Sequence, residues 1–225
     1  MAIAKIVGST SVGKAFDKGF KLYKENFTTV FVAALIAAVI GGLTCGICGP
    51  VMTCGLFAII LTLVRGGETK PTIGEVFSKF NLFLTSLVTA IVIGLLFGLI
   101  NAALMFVPVV GIIANYAISC IISPAVMCWA YLSIVDRKAT IGEAIGSLKL
   151  TMEKPFWLFV LVSFVASLIG CIGLIACGIG ILFTMPLASC IIVAAYNDMA
   201  GGEETAAIDT QATVAAEEAP PTDAQ

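Results

Sequence analysis

The sequence predicts an all-α membrane protein: six transmembrane helices forming three parallel repeats, each led by an amphipathic helix in the membrane interface. Three observations carry this. Of the 225 residues, 60% are hydrophobic and 12% charged, against roughly 25% charged in a soluble domain, and the mean hydropathy is +1.09. The charges gather into a few loops separated by long uncharged runs. Finally, Thr-Ile-Gly-Glu is written twice, in PTIGEVFSKF at 71–80 and in ATIGEAIGSL at 139–148.

Residues 1–10 are an N-terminal segment. It does not read as a signal peptide, because Lys5 and the charged run Lys14 to Glu25 precede the first long apolar stretch. Uncharged runs then occupy 26–64, 82–135 and 155–197. A bilayer core of about 30 Å needs roughly 20 apolar residues per helix, so each run has room for two. Each breaks near its middle, at TCGICGP (44–50), VPVVG (107–111) and GCIGLIACGIG (170–180), where Gly and Pro suit a tight turn. The spans are expected near 27–46, 50–65, 82–106, 109–135, 155–175 and 179–197, the second being the shortest. All 12 Lys and Arg lie before the first span or in the loops 65–81 and 136–154, and the opposite turns are uncharged. By the positive-inside rule both termini and both charged loops face the cytoplasm.

Thr72 with Glu75 and Thr140 with Glu143 fit the capping box that opens a helix; Ser11 with Lys14 keeps only the cap half. Behind each cap runs an apolar stripe at helical spacing: Val12, Phe16, Phe20 and Tyr23; Ile73, Phe77 and Phe80; Ile141, Ile145, Leu148 and Met152. Lys14, Lys18, Lys21 and Lys24 lie opposite the first stripe and form a lipid-facing basic patch. Later in each unit, Pro50, Pro124 and Pro186 are each followed four residues on by Cys54, Cys128 and Cys190. Twelve residues after Pro124 and Pro186 come Asp136 and Asp198, where the first unit has Thr62 with Arg65 beyond. Two features on one period indicate triplication. The repeats run about 11–66, 72–138 and 140–198 within a membrane domain 11–198. The remainder, 199–225, holds six acids and no base and reads as a disordered acidic tail.

The Gly-containing interfacial helix, the paired spans and the closing helix TMPLASCIIVAAYNDMAGG resemble the YciC-like group of uncharacterised bacterial inner-membrane proteins. They also resemble the membrane portion of some glycerophosphodiester phosphodiesterases. The resemblance implies an integral inner-membrane protein and carries over no catalytic residue. These 225 residues contain no phosphodiesterase domain, so that activity is not implied.

Chemistry is sparsely signalled. The chain has no histidine, which removes the commonest general base, proton relay and metal ligand together. No acidic or basic residue sits in the interior of a predicted span, against what ion-coupled carriers and proton pumps use. Of eight cysteines, Cys54, Cys120, Cys128 and Cys190 fall inside spans and read as packing residues. Cys45, Cys48, Cys171 and Cys177 sit at outer turns and admit packing, a disulfide, or redox or metal work. Asn101 and Asn115 lie seven residues either side of Pro108 and form an intramembrane polar pair. Small residues at helical spacing (Ala33, Ala37, Gly41; Ala34, Ala38, Gly42; Gly94, Gly98) suit close helix packing or self-association. Trp157, Tyr131 and Tyr196 read as interfacial anchors.

The leading expectation is therefore a non-catalytic membrane protein engaging lipid head groups or partner proteins through its cytoplasmic-face helices. The alternatives are a passive pore for a small uncharged solute, through the Pro-x-x-x-Cys helices, and a membrane thiol-disulfide redox protein. Membrane lipids, a protein partner or a second copy are the expected company; no catalytic residue, metal, cofactor or nucleic acid is called for.

Overall fold

Gly and Pro decide where the helices of this chain stop, and the apolar runs between them decide how long they are. The computed structural model describes residues 10–66, 71–107, 110–175 and 179–201; expectations for the N-terminal segment, Pro108, Cys177 and the acidic tail fall outside them. Helix α1 (Val12–Glu25) meets α2 (Phe27–Leu43) at an elbow of 93°. A turn through Cys45 (φ 50°) and Gly46 (φ 86°) leads to α3 (Gly49–Val64). The left-handed backbone is free for the glycine, while a residue with a Cβ adopts it at roughly 1–2 kcal/mol. Ile73–Leu104 is one helix of 32 residues, wound as 3₁₀ over Ile73–Leu82 and as α4 over Phe83–Leu104.

After the next turn come α5 (Val110–Ala117), a π turn (Ile118–Ile122) and α6 (Ser123–Arg137). Pro124 accounts for the π turn: it has no N–H to donate and its ring crowds the carbonyl four residues back, so the ladder widens there. The short α7 (Ile141–Ile145) and α8 (Ser147–Leu150) precede α9 (Phe156–Ile175) and α10 (Ile179–Met199), which carries Pro186 in its interior.

All described regular structure is helical, and a helix occupies each segment predicted to span. Among the described residues, three helices are long and apolar enough to cross a membrane: Ile73–Leu104, Gly111–Arg137 and Gly180–Met199. The bent pair α1–α2, taken as one span, makes a fourth. Helix α3 has 16 residues, about 24 Å at 1.5 Å per residue, which falls short of the roughly 30 Å hydrocarbon core. Large apolar side chains stay exposed along α4 (Leu84, Ile91, Leu95, Leu99) and at its end (Met105, Phe106), a belt that water would not tolerate at this extent.

The core lies where α3, α6 and α10 face one another. Met52, Ile59 and Ile60 of α3, Trp129, Leu132 and Ile134 of α6, and Ile191, Tyr196 and Met199 of α10 are fully buried. Trp129 is its centre, with edge-on contacts to Phe159 (4.9 Å), Tyr196 (4.8 Å) and Phe156 (5.8 Å), the geometry that ring quadrupoles favour. Tyr131 and Tyr196 are thus core residues rather than the predicted anchors; only Trp157 stays half-exposed.

The caps form as the sequence predicts. Ser11 Oγ accepts from the Lys14 N–H at 3.3 Å, and the Thr72 N–H donates to Glu75 at 3.0 Å. The Thr140 N–H and hydroxyl both donate to Glu143, at 2.8 Å each. Those bonds favour the ionised form, the backbone N–H most of all, and are the main reason that the Glu143 carboxyl falls from its usual 4.5 to about 2. A depressed carboxyl stabilises the fold fully above the unfolded-state value and ceases to as pH falls through the folded one. Glu143 is thus expected to lose its contribution between about pH 4.5 and 2. Carboxyl-carbon NMR of the Thr140→Ala variant should show the midpoint move back up; an unmoved midpoint would contradict the capping account.

The buried faces behind the caps differ from the predicted stripes. Of the predicted stripes Tyr23 is buried, but Phe20, Phe77, Phe80 and Met152 are exposed, whereas Ala15 and Gly19 on α1, Val76 on the 3₁₀ helix and Ala144 on α7 are buried. Close packing is the reason. A Cβ on Gly19 would lie 2.6 Å from the Ile191 Cα, and one on Gly55 would fall on the Val76 carbonyl oxygen. Small residues therefore take the closest contact, and Phe20, Phe77 and Phe80 stay outside, with half-buried Phe16 stacked on Phe20 at 6.1 Å and Phe77 on Phe80 at 6.5 Å.

Candidate functional site

Helices α3, α6 and α10 all end at the same edge of the bundle, and their last residues are where the polar chemistry collects. Sequence reading stops the fourth and sixth spans at 135 and 197, but α6 and α10 continue to Arg137 and Met199. Two carboxylates are thereby drawn into the packed structure: the side chains of Asp136 and Asp198 are 9% and 8% exposed.

Neither stands alone. Arg65, at the C-cap of α3, donates from Nη1 to Asp136 Oδ1 at 2.6 Å and from Nε to Asn197 Oδ1 at 3.0 Å. The Tyr196 hydroxyl donates to Asp136 Oδ2 at 3.3 Å, and Arg137 Nε stands 3.9 Å from the same oxygen. Arg137 Nη2 also donates to the Ala200 carbonyl at 3.0 Å, tying the end of α6 to that of α10. Asp198 is held from the other side by Lys18 of α1 at 2.8 Å and by the Thr10 hydroxyl at 3.1 Å. Charge-assisted bonds of this kind are the stronger ones. Their partners stand 180 and 71 residues apart in sequence, so the lattice sets which helix ends meet.

A recess of about 190 Å³ opens beside this lattice, lined by Thr62, Arg65, Lys79 and Asp136 with Ala58, Leu61 and Val135. A second, apolar cavity of about 490 Å³ lies between α2, α3, α9 and α10. Its α2 wall is the predicted small-residue stripe Ala34, Ala37, Ala38 and Gly41, and Cys128 and Pro186 also line it. The hydroxyls of Thr53, Ser167 and Ser189 on its walls donate back to carbonyls of their own helices, which leaves the surface effectively apolar.

The predicted site residues separate. Lys14, Lys21 and Lys24 are exposed along α1, with Lys21 Nζ 4.0 Å from Glu25 and Lys24 Nζ 5.7 Å from the Phe20 ring centre. Lys18 is instead engaged with Asp198. Cys45, Cys48 and Cys171 are free thiols, with Cys45 and Cys171 exposed; Cys177 lies outside the described residues. Cys54 and Cys190 are buried in the core, Cys128 half-buried, and Cys120 exposed. Asn101 and Asn115 do share a depth, but Ser119 joins them: Asn101 Nδ2 donates to Ser119 Oγ at 2.9 Å, which donates to Asn115 Oδ1 at 3.3 Å. A Cβ on Gly42, Gly94 or Gly98 would meet nothing within 4 Å, so the chain itself makes no close approach there.

The residues missed from sequence are Lys79, Arg137, Asn197 and Ser119, and the pairing of Arg65 with Asp136. One signal was available: acids twelve residues after Pro124 and Pro186, displaced in the first unit by Thr62. No protein-family model, curated protein or solved structure matches this chain.

Proposed function

We propose that this is a non-catalytic integral membrane protein of six spans in three parallel units, which holds anionic lipid head groups at its cytoplasmic face through α1. The observation that carries the reading is the posture of α1. It turns 93° from α2 and fastens its small-residue face to α10 through Gly19 and Lys18. Lys14, Lys21, Lys24 and Phe20 are left on its outer surface, with the half-buried Phe16 ring stacked on Phe20. A helix lying flat with rings beside lysines is the form that an interfacial, anion-seeking helix takes.

Three kinds of register support the triplication. The residue before each cap, Thr10, Pro71 or Ala139, is buried, and so is the residue four after it, Ala15, Val76 or Ala144. The leading helices of the first two units pack onto α10 and α3, each the closing helix of the unit before in cyclic order, and α7 packs onto both α4 and the closing α6. The units differ in their joints, since α1 leaves its span at a sharp elbow while the 3₁₀ helix runs straight into α4. The resemblance to YciC-like inner-membrane proteins, in a bacterial inner membrane with both termini inside, is part of the same proposal. Against a pore along the bundle axis stand the filled faces of α3, α6 and α10.

The test is lipid retention. Full-length protein would be extracted by polymer from bilayers of mixed phosphatidylglycerol and phosphatidylcholine, and the retained lipid counted. At about 1 kcal/mol per surface lysine, the triple change Lys14→Gln, Lys21→Gln, Lys24→Gln should cut phosphatidylglycerol enrichment severalfold and remove its salt dependence. Equal enrichment in folded variant and wild type would refute the reading.

A further inference from the structure

Lys18 and Lys79 occupy the same register: each stands seven residues after its cap, Ser11 and Thr72. Asp198 and Thr62 also correspond, each twelve residues after its proline, Pro186 and Pro50. In one place the lysine meets the carboxylate at 2.8 Å. In the other, Lys79 and Thr62 line one recess with Arg65, and the acid is replaced by a hydroxyl that donates back to its own helix, to the Ala58 carbonyl at 3.0 Å. Thr62 therefore cannot neutralise Lys79, which has no ion pair among the described residues. Asp136 lies across the recess, but Arg65 at 2.6 Å and Arg137 at 3.9 Å already share it.

Among the described residues of the lattice, Lys18, Arg65, Lys79 and Arg137 face two carboxylates, Asp136 and Asp198. Arg65 uses Nε and Nη1, which leaves Nη2 without a bond among the described residues. A partly enclosed excess of cations is costly without a counter-charge, and a planar guanidinium beside an ammonium is a combination suited to phosphate oxygens. The recess, at about 190 Å³, is far larger than a single water needs.

We propose that this recess binds a phosphate group, held between Lys79 and Arg65 in the place where the corresponding helix pair carries its own carboxylate. The group is either a free phosphate or the phosphate of a lipid head group. The site lies apart from the outer surface of α1, and soluble probes read it in micelles where no leaflet is present, so its outcome is independent of the lipid-retention test.

The experiment uses the full chain in a neutral detergent and phosphate-free buffer. Thermal unfolding is followed with inorganic phosphate, dihexanoyl phosphatidic acid and, as control, dihexanoyl phosphatidylcholine. A ligand that binds only the folded state raises the midpoint with concentration. Wild type is expected to respond to phosphatidic acid and not to phosphatidylcholine. A response to inorganic phosphate as well would show that the bare group suffices; its absence would assign the site to a lipid head group. Lys79→Gln should weaken the response about tenfold or more. Thr62→Asp restores the internal carboxylate and should abolish binding while its own unliganded midpoint does not fall. If neither phosphate probe shifts wild type, or if Lys79→Gln and Thr62→Asp both bind as wild type does, the site does not exist.

Discussion

Replacing Asp136 by Ala is expected to cost about 3–5 kcal/mol, the range for breaking one side of a buried ion pair. Most of that cost comes from what is left behind. Without the carboxylate, Arg65 keeps only Asn197, the Tyr196 hydroxyl loses its acceptor, and Arg137 loses its nearest counter-charge. The pair itself contributes far less than its rupture costs, because bringing both charges out of water offsets much of their attraction. The double variant Arg65→Met, Asp136→Leu is therefore expected to recover most of the loss. Equilibrium unfolding in mixed micelles across the double-mutant cycle measures both numbers. A loss under about 0.5 kcal/mol for Asp136→Ala, the scale of an ordinary surface change, would mean that the lattice is ornamental.

Gly55→Ala should be the next most damaging change, at about 3 kcal/mol, the upper end of what overpacking costs. The added methyl would fall on the Val76 carbonyl oxygen, and a backbone oxygen within a helix cannot swing aside as a side chain would. The 3₁₀ helix must then slide off α3, taking Lys79 away from Arg65. The variant should accordingly lose phosphate response as well as stability. Gly13→Ala is the matched control. A Cβ there meets nothing within 4 Å, so it should be neutral or stabilising by up to about 1 kcal/mol. Similar midpoints for the two variants would contradict the close approach of α3 to the 3₁₀ helix.

The helices were legible because each is bounded by Gly, Pro or charge, and the capping pairs because they are local, spanning three residues. The buried faces of the leading helices were harder to read. Apolar periodicity weights large side chains, so it selected Phe16 and Phe20, whereas the contact that forms is made by Ala15 and Gly19, which let two backbones approach. The anchors Tyr131 and Tyr196 were misplaced for a related reason: an aromatic near a span end looks interfacial unless the neighbouring helix continues past it, as α6 and α10 do. The lattice was half legible. Asp136 and Asp198 showed as a register, but their partners come from α3 and α1, and no local pattern ties Arg65 to Asp136 or Lys18 to Asp198. Ser119 was hidden by its ordinariness, since a lone serine in a span usually bonds its own helix.

The seal of α1 against α10 has a consequence for how the protein is made. A ribosome delivers α1 well before α10, so Gly19, Lys18 and Thr10 wait for the surface that covers them until α10 emerges. Until then Arg65 and Asp136 have met without Tyr196 or Asn197 to complete them. Assembly is thus a ring whose clasp joins its two ends. A chain that lacks α10 leaves the small-residue face of α1 uncovered and Lys18 without Asp198.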